Sequence, residues 1–214
     1  MDKPRLDIKF VSDVACPWCA IGLASLDQAI ARLGGEIETT VQPEPFELNP
    51  DMAPEGANVV AYLGRKYGRT PAQIAEVQQR IRDRGADVGF AFGKREHVWN
   101  TFAAHRVLHW AGTQGKAVEL KRALLQAYHG EGRNPGAPEV LAELAAQVGL
   151  DGDKARAIAE GNDFADEVRS RERYWIEQGV NGVPFVVVND KYAIEGGQPP
   201  EVFEDALRRI AAGA

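Results

Sequence analysis

Ala15-Cys16-Pro17-Trp18-Cys19 holds the only two cysteines of a 214-residue chain, with two residues between them. The run before it, Leu6-Asp7-Ile8-Lys9-Phe10-Val11-Ser12-Asp13, has the apolar, β-branched density of a buried strand. The run after it places Leu23, Leu26, Ile30 and Leu33 at helical intervals, and Gly34-Gly35 ends the pattern. A strand, a short turn and a helix whose first turn carries both sulfurs are therefore expected. Pro17 suits that turn, because the N–H it lacks is one the helix leaves unpaired there.

A helix start presents free N–H groups and roughly half a positive charge. A thiolate is favoured in that field, so Cys16 is expected to titrate below the about 8.5 of a free thiol and to be the exposed, attacking sulfur. Cys19, one turn further in, is expected to be the more buried sulfur that resolves the mixed disulfide. Trp18 stands between them as a shield on one side. Two other uses compete. A zinc site normally takes four ligands, but no second C-x-x-C exists. His105 and His109 are far outside finger spacing and lack the Glu of a metalloprotease helix. A structural disulfide closing so small a loop would restrain the unfolded chain little. Catalytic redox chemistry is favoured, and no metal is expected.

A net charge of -6 and a pI near 5.3 argue against a nucleic-acid partner. No apolar run has the length of a membrane span, so no membrane partner is expected. Met1-Asp2-Lys3-Pro4-Arg5-Leu6-Asp7 lacks the hydrophobic stretch of a secretion signal. The expected location is cytoplasmic, where a transient catalytic disulfide is the usual kind. No Gly-rich phosphate loop occurs, so no nucleotide cofactor is expected and electrons would come from another thiol system.

Along the chain, Glu36-Ile37-Glu38-Thr39-Thr40-Val41 alternates as a second strand, parallel to the first across the helix. Pro43, Pro45 and Pro50 then suggest an irregular extended segment, since proline is excluded from a central strand. From about Asp51 the pattern is helical only. Segments are expected over 58–67, 70–84, 101–111, 116–129 and from Pro138 to Gly149, with Asp151 and Asn162 capping two more. Strand signal returns at Val183-Pro184-Phe185-Val186-Val187-Val188, followed by an Asn189-Asp190 turn and a hairpin partner over 191–195. A final helix over 201–212 puts Val202, Phe203, Ala206, Leu207 and Ile210 on one face. The fold class is α/β: a frame of residues 1–50 and 180–214 carrying a helical insertion, 51–179.

C-P-W-C after the first strand, a long helical insertion, and Gly182-Val183-Pro184-Phe185 before a hairpin resemble the DsbA family of thioredoxin-fold oxidoreductases, and more narrowly its cytoplasmic FrnE-like branch. Pro45-Phe46-Glu47-Leu48-Asn49-Pro50, Asn100-Thr101 with Ala104-His105-Arg106, and Gly197-Gln198-Pro199-Pro200 extend the resemblance over nearly the whole chain. It implies a cis Val183–Pro184 bond beside the sulfurs, with the Val183 backbone accepting an extended substrate. Ala20 departs from the Tyr common in relatives and would leave that side of the site more open.

The expected catalytic pair is Cys16 and Cys19. Pro17, Trp18, Val183, Pro184 and His105 make up the substrate-facing set. Partners would be thiol- or disulfide-bearing proteins or small molecules, with glutathione admissible as redox partner or co-substrate. Two alternatives are a glutathione-dependent isomerase of a small aromatic or polyketide molecule, and a binding module without chemistry. Arg80, Arg82 and Arg84 fit a solvated helix face. Trp99, Trp110 and Trp175 fit core or groove lining, and Lys94-Arg95-Glu96-His97 an exposed loop with a place at the border of the cleft left open.

Overall fold

A computed structural model of the protein describes residues 3–213. The ends of the expected two-part frame, residues 1, 2 and 214, lie outside the described residues. The central strand β1 (Arg5–Ser12) sends Leu6, Ile8 and Phe10 to one face of the sheet and Val11 to the other. It pairs in parallel with β2 (Glu38–Pro45) across helix α1 (Pro17–Arg32), as the strand–helix–strand reading requires. Strand order is completed by two short two-residue strands, β3 (Ala57–Asn58) and β4 (His97–Val98), and by the hairpin β5 (Phe185–Val188) and β6 (Tyr192–Glu195). The main sheet runs β2-β1-β5-β6, with β1 and β5 antiparallel.

β2 continues four residues beyond Val41, through Pro43 and Pro45. Its place at the sheet edge explains this: one side of the strand has no ladder, so a missing N–H can fall there without cost. The ribbon of β3 and β4 interrupts a region read as wholly helical. The turn after β5 does hold Asn189 and Asp190 at φ 52° and 55°, the left-handed conformation these residue types tolerate.

Seven helices fill the interval between β2 and β5: α2 (Val59–Tyr67), α3 (Pro71–Asp87), α4 (Phe102–Thr113), α5 (Ala117–Leu125), α6 (Pro138–Gln147), α7 (Gly152–Glu160) and α8 (Ala165–Glu177). Thr70 and Gln73 form the expected capping box on α3. That helix runs through Gly85, where a Cβ would fall 2.5 Å from the Phe92 ring, so the glycine serves packing and not termination. α5 stops at Leu125 and a π-helical turn, Gln126–Gly130, carries the chain on. Asn162 does not cap α8. Phe164, at φ 64°, precedes it instead.

The sheet is covered on both faces. α1 and the last helix, α9 (Pro200–Ala211), press Leu23, Leu26, Phe203 and Leu207 onto Leu6, Phe10, Val186 and Val188. Each such fully buried side chain contributes about 1.5–3 kcal/mol. Val202 falls outside this stripe and is 42% exposed. α8 covers the opposite face, packing Trp175 with Val11, Phe46 and Val180. α4 to α7 build their own core around Leu120, Tyr128, Leu141 and Ile158. α3 leans on α1 through Ile81 and Ile21. The start of α1 is thereby set between the sheet and the helical layer.

Candidate active site

Cys16 is the cap residue of α1, Pro17 its first residue, and Cys19 closes the first turn through a 3.1 Å bond from its N–H to the Cys16 carbonyl. The thiol of Cys19 donates to Cys16, and the N–H groups of Cys19 and Trp18 add to it. Together they hold Cys16 below an ordinary thiol, against the opposing effects of burial and of the Asp13 charge. Burial pushes Cys19 well above the ordinary range, and the neighbouring Cys16 pushes it further. One sulfur is thus prepared to be the thiolate and the other to keep its proton.

Cys16 was expected to be exposed, but it is only 4% accessible, against 0% for Cys19. The segment 183–184 covers it: the Cys16 S–H donates to the Val183 carbonyl at 3.4 Å, and the Val183–Pro184 bond is cis. Trp18, by contrast, is 36% exposed at the rim. The contact with the segment is made through backbone. A Cβ on Gly22 would fall 2.9 Å from the Pro184 ring, and one on Gly197 would fall 3.0 Å from the Trp18 carbonyl. Ala20 does not open the site, since it is buried in the sheet core.

The turn before the thiols is held by side chains to which the sequence reading gave no such role. Asp13, fully buried, accepts from the N–H groups of Ala15 at 3.0 Å and Leu48 at 2.7 Å, and from the Thr101 hydroxyl at 2.8 Å. His105 Nε2 stands 3.4 Å from the same carboxylate. These bonds hold Asp13 below the usual carboxylate range, although burial alone would raise it. His129 donates to the Val14 carbonyl at 2.8 Å, and burial pushes its pKa down to about 3, so it stays neutral. Arg95 donates to the Ala15 carbonyl at 3.2 Å, and Lys121, its pKa lowered by burial, to the Ser12 carbonyl at 3.5 Å.

This corrects the expectation for His105. It is buried against Asp13 and does not line the cavity at Cys16, because α4 turns that face toward the β1 end. Arg95 borders that cavity, the alternative left open for its loop. The cavity measures about 240 Å³ and is walled by Cys16, Pro17 and Trp18 on one side and by Tyr62, Ile74 and Ile81 on the other. Trp110 and Trp175 are core residues, and Trp99 stacks on His97 at 4.9 Å. Among the described residues no group of three or more His, Cys, Asp or Glu is placed to hold a metal ion.

Sheet order, sulfur-bearing helix and the segment facing it define a thioredoxin-like protein with a dithiol at its first helix. A family model described as a DSBA-like thioredoxin domain matches residues 7–208, and the chain belongs to that family. The probable DsbA oxidoreductase of Streptomyces coelicolor is 34% identical in sequence, with a TM-score of 0.85 over 97% of this chain and 90% of that one. A 2-hydroxychromene-2-carboxylate isomerase shares the fold at 16% identity, TM-score 0.75, over 95% of each chain. So does the cytosolic disulfide reductase DsbM of Pseudomonas aeruginosa, solved with GSH, at 19% identity and TM-score 0.65 over 95% of this chain and 98% of that one. Membership of this family supports thiol–disulfide oxidoreductase chemistry in general. No helix among the described residues is long and apolar enough to cross a membrane.

Proposed function

We propose that the protein is a thiol–disulfide oxidoreductase that works through Cys16 and Cys19. The observation that carries this is the placement of two sulfurs in the first turn of α1, with Cys16 at its cap against the Val183 carbonyl and the cis Val183–Pro184 bond. The opposite directions of their pKa values agree with it. In the reducing direction the Cys16 thiolate attacks one sulfur of a disulfide. A Cys16–substrate bond forms, the original S–S bond breaks, and the leaving thiolate departs. Cys19 then loses its proton and attacks Cys16 Sγ, releasing the second substrate thiolate. The enzyme ends two electrons poorer as a Cys16–Cys19 disulfide, and a small or protein thiol restores it by the reverse exchange.

Pro17 and Trp18 at the rim, with the Val183 backbone and Pro184, would form the substrate-facing surface. Residues 1–50 and 180–214 would supply the chemistry, and 51–179 the wall opposite Cys16. The FrnE-like branch and a cytoplasmic workplace belong to the same proposal. They are supported by the sequence motifs and by the cytosolic DsbM, whose structure with GSH makes glutathione a natural redox partner to test.

Trapping tests the assignment of the two sulfurs. With Cys19→Ala, the mixed disulfide at Cys16 has no internal thiol to release it, so adducts should accumulate and be seen by mass spectrometry after acid quench. Cys16→Ala should trap little. Protein adducts would identify a general oxidoreductase, and glutathione alone would favour the isomerase alternative. Failure of the wild type to reduce insulin disulfides, together with no trapping on either variant, would leave the binding module.

A further inference from the structure

Residues 62–95 carry eight basic and three acidic side chains, a local charge of +5 in a chain of net charge -6. Part of that excess lies in and beside the cavity at Cys16. Arg69 and Arg95 border the same cavity as Cys16. Arg69 continues with Arg80 into an adjoining cleft under Trp18, and Arg82 and Arg95 into a second one reached past Pro17. Nearby Arg84 and Lys94 are ion-paired, to Asp87 and Glu96. Among the described residues Arg69, Arg80, Arg82 and Arg95 have no such carboxylate partner: Arg82 is bonded to Gln79, and Arg95 to a backbone carbonyl. Two guanidinium groups, Arg69 and Arg95, therefore border the cavity at Cys16 without an ion-pair partner, and Arg80 and Arg82 stand in adjoining clefts that Asp83 and Glu96 also line.

A solvated helix face does not account for this arrangement. The wall between the arginines and Cys16 is apolar, made of Tyr62, Leu63, Ile74 and Val77, and at about 240 Å³ the cavity is at the small end of ligand pockets. A guanidinium beside such a wall is attractive to a carboxylate, which it can take in two parallel bonds. The loop that follows β6, Gly196-Gly197-Gln198-Pro199, carries no basic side chain, so a negative group on the substrate finds its complement only on the helical side.

The geometry points to a substrate preference: the cavity between Cys16 and the α2–α3 wall takes low-molecular-weight disulfides bearing carboxylates, held by Arg69 and Arg95 and drawn in by Arg80 and Arg82. This rests on the redox assignment above and adds selectivity to it. The exchange is the one already written, with the carboxylates unchanged. Once the leaving thiolate has taken a proton from water, the same arginines retain the product thiol less well than the disulfide, because it carries one carboxylate in place of two.

The test measures the rate at which the reduced wild type consumes dithiodipropionate, neutral hydroxyethyl disulfide and cationic cystamine. Each rate is divided by that of a free model thiol with the same disulfide. The anionic disulfide should be favoured over the neutral one by about tenfold, and the cationic one disfavoured. The preference should fall toward unity at about 1 M salt, where the screening length is about 3 Å. Combined Arg69→Gln and Arg80→Gln should remove most of the preference, Arg69→Lys should retain much of it, and Arg156→Gln on remote α7 should leave the ratio alone. Equal normalised rates for the three disulfides, or a preference untouched by the paired substitution, would overturn the inference while leaving the redox assignment standing. Reaction with none of the three while insulin disulfides are still reduced would overturn the inference alone, and failure with insulin as well would overturn both.

Discussion

Asp13 and Glu47 are buried carboxylates on two segments that meet beneath Cys16, joined by the bond from Leu48 to Asp13. Their surroundings differ sharply. Asp13 has two N–H groups, a hydroxyl and an imidazole on its two oxygens. Glu47 shares Arg169 with Glu172, and Glu47 Oε1 and Glu172 Oε1 are both buried without a partner. Burial and the Glu172 charge push Glu47 up to about 7, in spite of Arg169. The same residue chemistry at similar depth is thus locked as an anion in one place and balanced near neutrality in the other. What separates them is donors per oxygen.

The largest effect should come from breaking the satisfied member. Asp13→Asn places an amide N–H against the Leu48 N–H and should cost roughly 3–5 kcal/mol in denaturant unfolding at neutral pH, the scale for stripping a buried charge network. Because the Asp13 charge raises Cys16, the same variant should lower the Cys16 pKa further, read from thiolate absorbance. The sign with pH is fixed by its lowered pKa. The stabilisation from Asp13 is complete above 3.8 and is lost as pH falls through the lower folded value, so the gap between wild type and variant should narrow in acid. A stability within error of wild type would mean that the network is not what holds the turn.

Thr101→Val removes one donor from that carboxylate and should cost about 1.5–3 kcal/mol. If it costs as much as Asp13→Asn, the contributions are not spread over the donors. The smallest effect belongs to Glu47→Gln. A raised carboxyl pKa means the folded state holds the proton longer, so wild-type stability should decline as pH rises from 4.5 toward about 7. The variant should lack that decline and be the more stable above it. Parallel stability–pH curves would contradict the contrast drawn here.

Local pattern carried the frame well, because strand β1, the glycine-ended helix α1 and the β5–β6 hairpin are decided by neighbours within a few residues. Cys16, Cys19 and the 183–184 segment were legible for the same reason, the last through its motif. The supports of the site were not. Asp13 meets Leu48, Thr101 and His105 across 35, 88 and 92 residues of chain, and no periodicity reports such distances. His105 was singled out but assigned to the substrate, since a histidine's spacing says nothing about which carboxylate it faces. The prolines of β2 misled because exclusion from a central strand does not apply at an edge. The arginines of α3 read as a solvated face, and Arg80 and Arg82 are exposed; only folding shows that they open onto clefts beside Trp18 and Pro17.

Gly22 gives the molecule a division of labour. Its missing side chain lets α1 rest directly on the Pro184 ring, so the approach of the reactive pair to the 183–184 segment depends on one glycine. The wall facing Cys16 is built differently, mostly from side chains of one stretch, Tyr62 to Arg95, with Leu48, Asn49 and Val98 beside it. Selection can therefore rewrite most of that stretch, residue by residue, while the sulfurs keep their station, provided Arg95 keeps its bond to the Ala15 carbonyl. A scaffold of this design changes clients without relearning its chemistry, and an engineer grafting a new wall over 62–95 would be following the grain of the fold.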